Sequence, residues 1–277
     1  MINRIKGKIN CPELICVRNT IQTQNYVSRK GHPYFLFNQR VAELYSWEES
    51  EEYTDDDESF QSAIRFFADI STVLDSIPIF ISRDFGRGVS GVFRTEEMPF
   101  SKYGSSERIK GIIATPSELV KFEYAWERAR NEYKFFERMI DAIPIVFIHG
   151  DLEKDNIGFK GNKAQVLYDF ESVRTDLRIE DIAWAYASIC GLTNFDHQFE
   201  KKSRNFWETF SERYPMDPMY REMIWFILLG RHLSSLYTHF NFIQNGGSPP
   251  MQIVKNHIKR VNSLLDNESD IKYLLGV

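Results

Sequence analysis

Three oxygen-bearing side chains stand out by type and spacing. The stretch VFIHGDLEKDNIGF, residues 146–159, is an apolar run that breaks at Asp151, with Asn156 five positions later. A second apolar run, VLYDFESV at 166–173, breaks at Asp169. Short apolar runs bounded by turn residues read as buried strands, and the loops that leave them are where side chains can face a cleft. Between the two runs, Gly161-Asn162 has the residue types of a tight hairpin turn. Such a hairpin returns Asp169 to the side of Asp151 and Asn156. Two carboxylates and an amide in one place offer hard oxygen ligands to magnesium, which keeps several waters and takes one or two carboxylates together with phosphates. Those are the parts of phosphoryl transfer: a metal that screens the nucleotide phosphates, and a further carboxylate that accepts the proton of the attacking hydroxyl. Asp151 is then the base and orienter, and Asn156 and Asp169 are the magnesium ligands. Loop carboxylates that only cap turns are the alternative use of the same residue types.

Positioning these groups falls to the flanking elements. The first 45 residues carry strand-like pieces, ELICV, NYVSR and YFLFN, broken by RNTIQTQ and RKGHP. The acidic run EESEEYTDDDES at 48–59 has no core-forming pattern and reads as a solvated linker. Phe60, Ile64, Phe67, Ile70, Leu74 and Ile77 then recur at helical spacing, with Pro78 marking the end. Residues 79–114 read mostly as loop. TPSE at 115–118 opens the clearest helix, with Thr115 as cap, Pro116 in the first turn and Glu118 completing a capping box. Its apolar face is Leu119, Phe122, Trp126, Ala129, Tyr133, Phe136 and Ile140. From 180 onward the pattern is helical, including MIWFILLG at 223–230, which reads as core packing. The order predicts an α+β chain with two unequal lobes: residues 1–45 as a partial N-terminal β lobe and hinge, and 46–277 as a helical C-terminal lobe with the catalytic loop.

Composition narrows the partners. A formal net charge of -5 gives no global basic field for nucleic acid. No apolar stretch approaches the roughly 20 residues of a membrane span, and the start MINRIKGKIN lacks the apolar core of an export signal. Cys11, Cys16 and Cys190 form no CxxC pair and read as reduced thiols. The expectation is a cytoplasmic protein with a small-molecule partner, no nucleic acid and no membrane; the oligomeric state cannot be read.

HGDLEKDN at 149–156 and DFE at 169–171 resemble the catalytic and metal-binding segments of the aminoglycoside phosphotransferase and choline kinase-like family, distant relatives of protein kinases. The Asp-to-Asn spacing is that of the protein kinase catalytic loop. The resemblance covers about residues 10–240, is specific over 145–186, and has spore-coat kinase-like and homoserine kinase-like members as plausible near relatives. It implies a protein kinase-like two-lobe fold with a shortened N-terminal β lobe and a large, mostly helical C-terminal lobe. It implies a phosphotransferase moving the γ-phosphate of ATP or another NTP to a hydroxyl of a small molecule, with Mg2+ as cofactor. RTDLRIEDIAWA at 174–185 resembles the segment in which an aspartate, here Asp181, anchors the catalytic loop. His149 would be structural, bonding nearby backbone. Glu153 departs from the family, which commonly has histidine there; Lys154 next to it could compensate. Glu171 would support the metal or substrate, or form a salt bridge.

The residues CPELICVRNTIQTQNYVSRKGHPYFLFNQRVAEL resemble the second half of a nucleotide lobe, with Asn38, Gln39 and Arg40 offering hinge backbone to the adenine. No anchoring lysine can be named, Lys6 and Lys8 being candidates only by default. GRGVSGV at 86–92 contains the string G-x-G-x-x-G, but it lies too close to the catalytic loop to be the phosphate clamp and reads as a loop near the substrate cleft. Two functions therefore stay open: an active kinase, and a catalytically impaired relative that binds or scaffolds.

Overall fold

A computed structural model describes the backbone of residues 21–22, 26–28, 34–37 and 40–43, and in full residues 49–78, 93, 97–109, 115–192 and 197–276. The first part is an antiparallel sheet in the order β1 (Ile21–Gln22), β2 (Tyr26–Ser28), β3 (Tyr34–Phe37) and β4 (Arg40–Glu43). NYVSR and YFLFN supply β2 and β3 as expected. Ile21 and Gln22 extend the sheet into a segment read as a break. Arg40 faces Phe37 in the β3–β4 register, so the sheet continues to Glu43 where the sequence suggested that a hinge begins. Asn38, Gln39, ELICV, Lys6, Lys8, Cys11, Cys16 and the glycine string at 86–92 lie outside the described residues.

The acidic run is only partly a linker. Glu51 pairs with Phe159 through two backbone hydrogen bonds, Glu51 N to Phe159 O at 2.8 Å and Phe159 N to Glu51 O at 2.9 Å. Asp56 then caps helix α1 (Asp57–Asp75) by accepting from the Glu58 and Ser59 amides. Asp57 and Glu58 follow in its first turn, where negative charge meets the positive end of the helix dipole. The acidic residues thus start a helix as well as solvate a loop, and Phe60, Ile64, Phe67, Ile70 and Leu74 are buried beneath it.

Helix α2 (Pro116–Ile140) carries the expected capping box: the Glu118 amide donates to Thr115 Oγ1, and the Thr115 amide donates to Glu118 Oε2 at 2.7 Å. All seven residues of its apolar face are buried. Within residues 79–114, the described part forms a short 3-10 helix, Phe100–Ser105. Beyond the site segment, the chain forms helices α3 (Arg178–Cys190), α4 (His197–Arg213), α5 (Pro218–Glu222), α6 (Ile224–Gln244), α7 (Met251–Asp266) and α8 (Glu268–Leu275). MIWFILLG packs α6 on α2, with Phe226 stacked on Phe136 at 5.7 Å and tilted against Phe93 at 5.9 Å. Gly230 is required here, because a Cβ would sit 2.2 Å from Phe93 Cζ.

Two small antiparallel pairs present the site. Strand β5 (Ile145–Ile148) pairs with β8 (Arg174–Leu177), placing Ile148 opposite Arg174. Strand β6 (Ile157–Lys160) pairs with β7 (Lys163–Leu167) across the Gly161-Asn162 turn, where Gly161 has φ +56°. The segment from His149 to Val173 is therefore an excursion that leaves and returns at one paired edge.

Phe226 is fully buried between α2 and α6. Phe226→Ala leaves an aromatic-sized void and is expected to cost about 3–5 kcal/mol, read as a lower urea midpoint with an unchanged slope.

Candidate active site

The base of the site is a buried carboxylate. Asp181, in the first turn of α3, has no exposed surface. It accepts the backbone amides of His149 at 2.7 Å and Gly150 at 2.8 Å, one on each oxygen. Arg178 Nη1 adds a third bond, to Oδ2 at 2.9 Å. The same guanidinium donates to the Phe147 carbonyl and, through Nε and Nη2, to Asp75 Oδ1 at the end of α1. A buried ion pair offsets its desolvation only when its remaining donors and acceptors are filled, and this one is filled on both sides. Gly150 sits at φ +82°, and a Cβ there would lie 2.2 Å from Ser172 O, so the turn into Asp151 needs glycine.

His149 bonds nearby backbone. Its buried ring bonds Tyr168 O through Nε2 at 2.8 Å and meets Phe170 edge-on at 5.3 Å. An Nε2 facing a carbonyl must carry a proton, and the buried Nδ1 meets no hydrogen-bond partner among the described residues. Tyr168 N donates to Asn156 O at 2.9 Å. Both backbone groups of Tyr168 are thus held by the 149–156 loop, and the next residue is Asp169. The hairpin thus returns Tyr168, the residue before Asp169, to the backbone of Asn156.

Asp151 is fixed by three side chains. Oδ1 accepts Trp184 Nε1 at 2.8 Å and Arg231 Nη2 at 3.1 Å, while Oδ2 accepts Asn156 Nδ2 at 3.2 Å. Arg231 Nη2 also donates to Gly150 O at 2.8 Å, and the guanidinium lies 3.7 Å over the Trp184 ring. Neither Trp184 nor Arg231 was singled out from the sequence. The signal for Arg231 was a lone cation at the end of the otherwise apolar MIWFILLG run.

With its amide nitrogen turned to Asp151, Asn156 keeps its carbonyl oxygen for another partner. Asp169 is exposed and is the single described non-glycine residue with positive φ, at 57°. A left-handed aspartate costs on the order of 1 kcal/mol and clusters at functional sites. Its Oδ1 accepts the Glu171 amide at 3.4 Å. An amide oxygen and an exposed carboxylate are donors that suit magnesium. Among the described residues no three His, Cys, Asp or Glu side chains close on one point. An ion held here would complete its shell with water or phosphate oxygens, as magnesium does.

The remaining candidates are peripheral. Lys154 Nζ pairs with Asp155 at 2.9 Å, and the Glu171 side chain is exposed. Glu153 is half-buried; burial first, then Asp151 and Asp155, push its carboxyl up to about 7, with Arg260 and Arg231 opposing. Beside the loop, Ser50, Tyr53, Lys154, Ile157 and Tyr168 line a cleft of about 560 Å³, where Ser50 Oγ and Tyr168 OH are 2.9 Å apart. No helix among the described residues is long and apolar enough to cross a membrane.

Residues 7–213 match the phosphotransferase enzyme family. A search of curated protein sequences gave no match. Solved structures share the fold. A microcompartment-associated aminopropanol kinase superposes with a TM-score of 0.60 at 15% identity, over 98% of this chain and 79% of that one. A GDP complex of an aminoglycoside 2'-phosphotransferase does so at 0.59 and 10% identity, over 98% and 80%. An aminoglycoside phosphotransferase from Alicyclobacillus acidocaldarius gives 0.58 at 15% identity, over 92% and 80%. At such identities the likeness is one of fold, the α+β, protein kinase-like architecture.

Between its ordinary value of 4.5 and about 7, folded Glu153 holds a proton that the unfolded chain has released. Its contribution to stability therefore falls as pH rises through that window. Denaturation midpoints measured across it should decline less steeply for Glu153→Gln than for the wild-type chain.

Proposed function

Since the chain belongs to the phosphotransferase enzyme family, we propose that it moves the γ-phosphoryl group of ATP or another nucleoside triphosphate to a hydroxyl of a small molecule. The supporting observation is the double hold on Tyr168, by Asn156 O and His149 Nε2, which ties the residue before Asp169 to the loop that carries the Asp151–Asn156 pair.

Asp151 receives the proton of the acceptor hydroxyl. Two of its three donors sit on Oδ1, and Oδ2 has only the 3.2 Å bond from Asn156. Oδ2 thus keeps a lone pair for the incoming O–H, while Trp184 and Arg231 hold the plane of the carboxylate. Asn156 Oδ1 and the Asp169 carboxylate would hold Mg2+. That ion, when bound, screens the phosphate oxygens and offsets charge that develops during transfer. Ile157 and Tyr168 would face the nucleotide from the helical side. Asn38, Gln39 and Arg40 are proposed to meet its base from the strand side, with the lobe boundary near residue 45.

Glu153 favours a second reading, a relative that binds nucleotide without turnover, because a carboxylate next to Asp151 repels an arriving phosphate. Thermal shift with magnesium and ATP, run beside an ADP-release assay over an acceptor panel, separates the two readings. Stabilisation without ADP release by any acceptor selects the binding protein.

For the enzyme, Asp151→Asn should lower kcat by at least about a hundredfold with nucleotide affinity retained. Asp169→Asn should weaken magnesium-nucleotide binding instead. Full turnover in Asp151→Asn would remove it from the role of base.

A further inference from the structure

Three helices bring their cations and aromatic rings together beside Asp151. Trp184 of α3 is sandwiched near Arg231 of α6, at 3.7 Å, and Arg260 of α7, at 5.8 Å from the same ring. His232 lies 5.2 Å from Trp184, and its Nδ1 is 3.1 Å from His257 Nδ1. Arg231 is committed to Asp151 and the Gly150 carbonyl. Arg260 is not: it is half-buried, lies near Trp184, and forms no hydrogen bond or ion pair with any described residue.

The helical side of Asp151 carries two guanidinium groups. Burial first, then neighbouring Arg260, His239 and Arg231, take His257 down to about 4, so that ring is neutral at physiological pH. His232, fully buried, is driven down by burial, His257 and the same two arginines. Asp151 is already bonded to Arg231. A protonated amine entering here would meet two guanidinium groups, one of them without a hydrogen-bonded partner among the described residues. An oxyanion would meet the opposite: a planar fork of donors on Arg260, beside the Trp184 ring.

Resting on the phosphotransferase reading above, we propose that the acceptor is a hydroxy compound carrying an oxyanion, a carboxylate or a phosphate, which docks on Arg260 beside Trp184. Its hydroxyl is thereby presented to Asp151. This separates the acceptor from amino alcohols and aminoglycosides, which are cations at neutral pH.

A charge series on one carbon skeleton tests the assignment: glycerol, 3-amino-1,2-propanediol, D-glycerate and sn-glycerol 3-phosphate, titrated on the full chain by ligand-observed NMR. The wild-type chain should bind one of the two acids at least about tenfold more tightly than the aminodiol, and which acid wins tells carboxylate from phosphate. Arg260→Ala should erase that preference and Arg260→Glu reverse it, with melting temperature and ATP affinity unchanged. Arg260→Lys, which keeps the charge, should retain part of it. Equal or tighter binding of the aminodiol, no binding by either acid, or a preference that survives Arg260→Ala overturns the proposal. So does a loss of ATP affinity in Arg260→Ala, which would assign the arginine to the nucleotide. Absence of ATP binding to the wild-type chain, with acid selectivity intact, defeats the phosphotransferase reading and leaves the anion site.

Discussion

The site depends on a carboxylate that never meets water. Asp181 holds two successive backbone amides of the loop that carries Asp151, and Arg178 pairs with it inside the protein. Arg178 in turn is answered by Asp75 and the Phe147 carbonyl, so a single guanidinium ties α1, β5 and α3 to one point. Removing either member strands an unpaired charge in the interior, which is far costlier than never having had the pair. The arrangement is valuable for geometry more than for stability: it removes freedom from the turn at Gly150, and with it from the side chain that follows.

A second layer of order is built on that turn. Asp151 is gripped by an indole, a guanidinium and an amide from three different parts of the chain. The grip is uneven between the two oxygens, and this asymmetry lets one be a fixed anchor while the other remains chemically available. Arg231 does two jobs in the same place, bonding the Gly150 carbonyl and covering the Trp184 face. Burial lowers its proton affinity, and the nearby Glu180 and Asp151 carboxylates oppose that effect.

What the sequence disclosed follows the range of each interaction. Local signals were legible: the Thr115–Glu118 capping box, the apolar face of α2 and the Gly161-Asn162 hairpin all came out as read, because each is decided by residues within a few positions of one another. The return of Tyr168, the residue before Asp169, to Asn156 was also legible, since a hairpin between them makes it nearly a local contact. Arg231 and Trp184 were passed over, because nothing short-range marks a helical residue that reaches a loop 80 positions away. The acidic run was misjudged in part for the opposite reason. Charge composition suggested solvation, whereas Asp56 spends its carboxylate capping α1 and Glu51 pairs with Phe159 through its backbone.

The pairing of Ile148 with Arg174 has an evolutionary corollary. Asp151, Asn156 and Asp169 all belong to one length of chain, about 25 residues, whose ends are stitched together by a single ladder, and closure entropy grows only with the logarithm of such a length. These three groups therefore travel as a cassette. Helix α7, which supplies none of the bonds on Asp151, can drift in sequence without unpicking that cassette, whereas α6 is tied to it through Arg231.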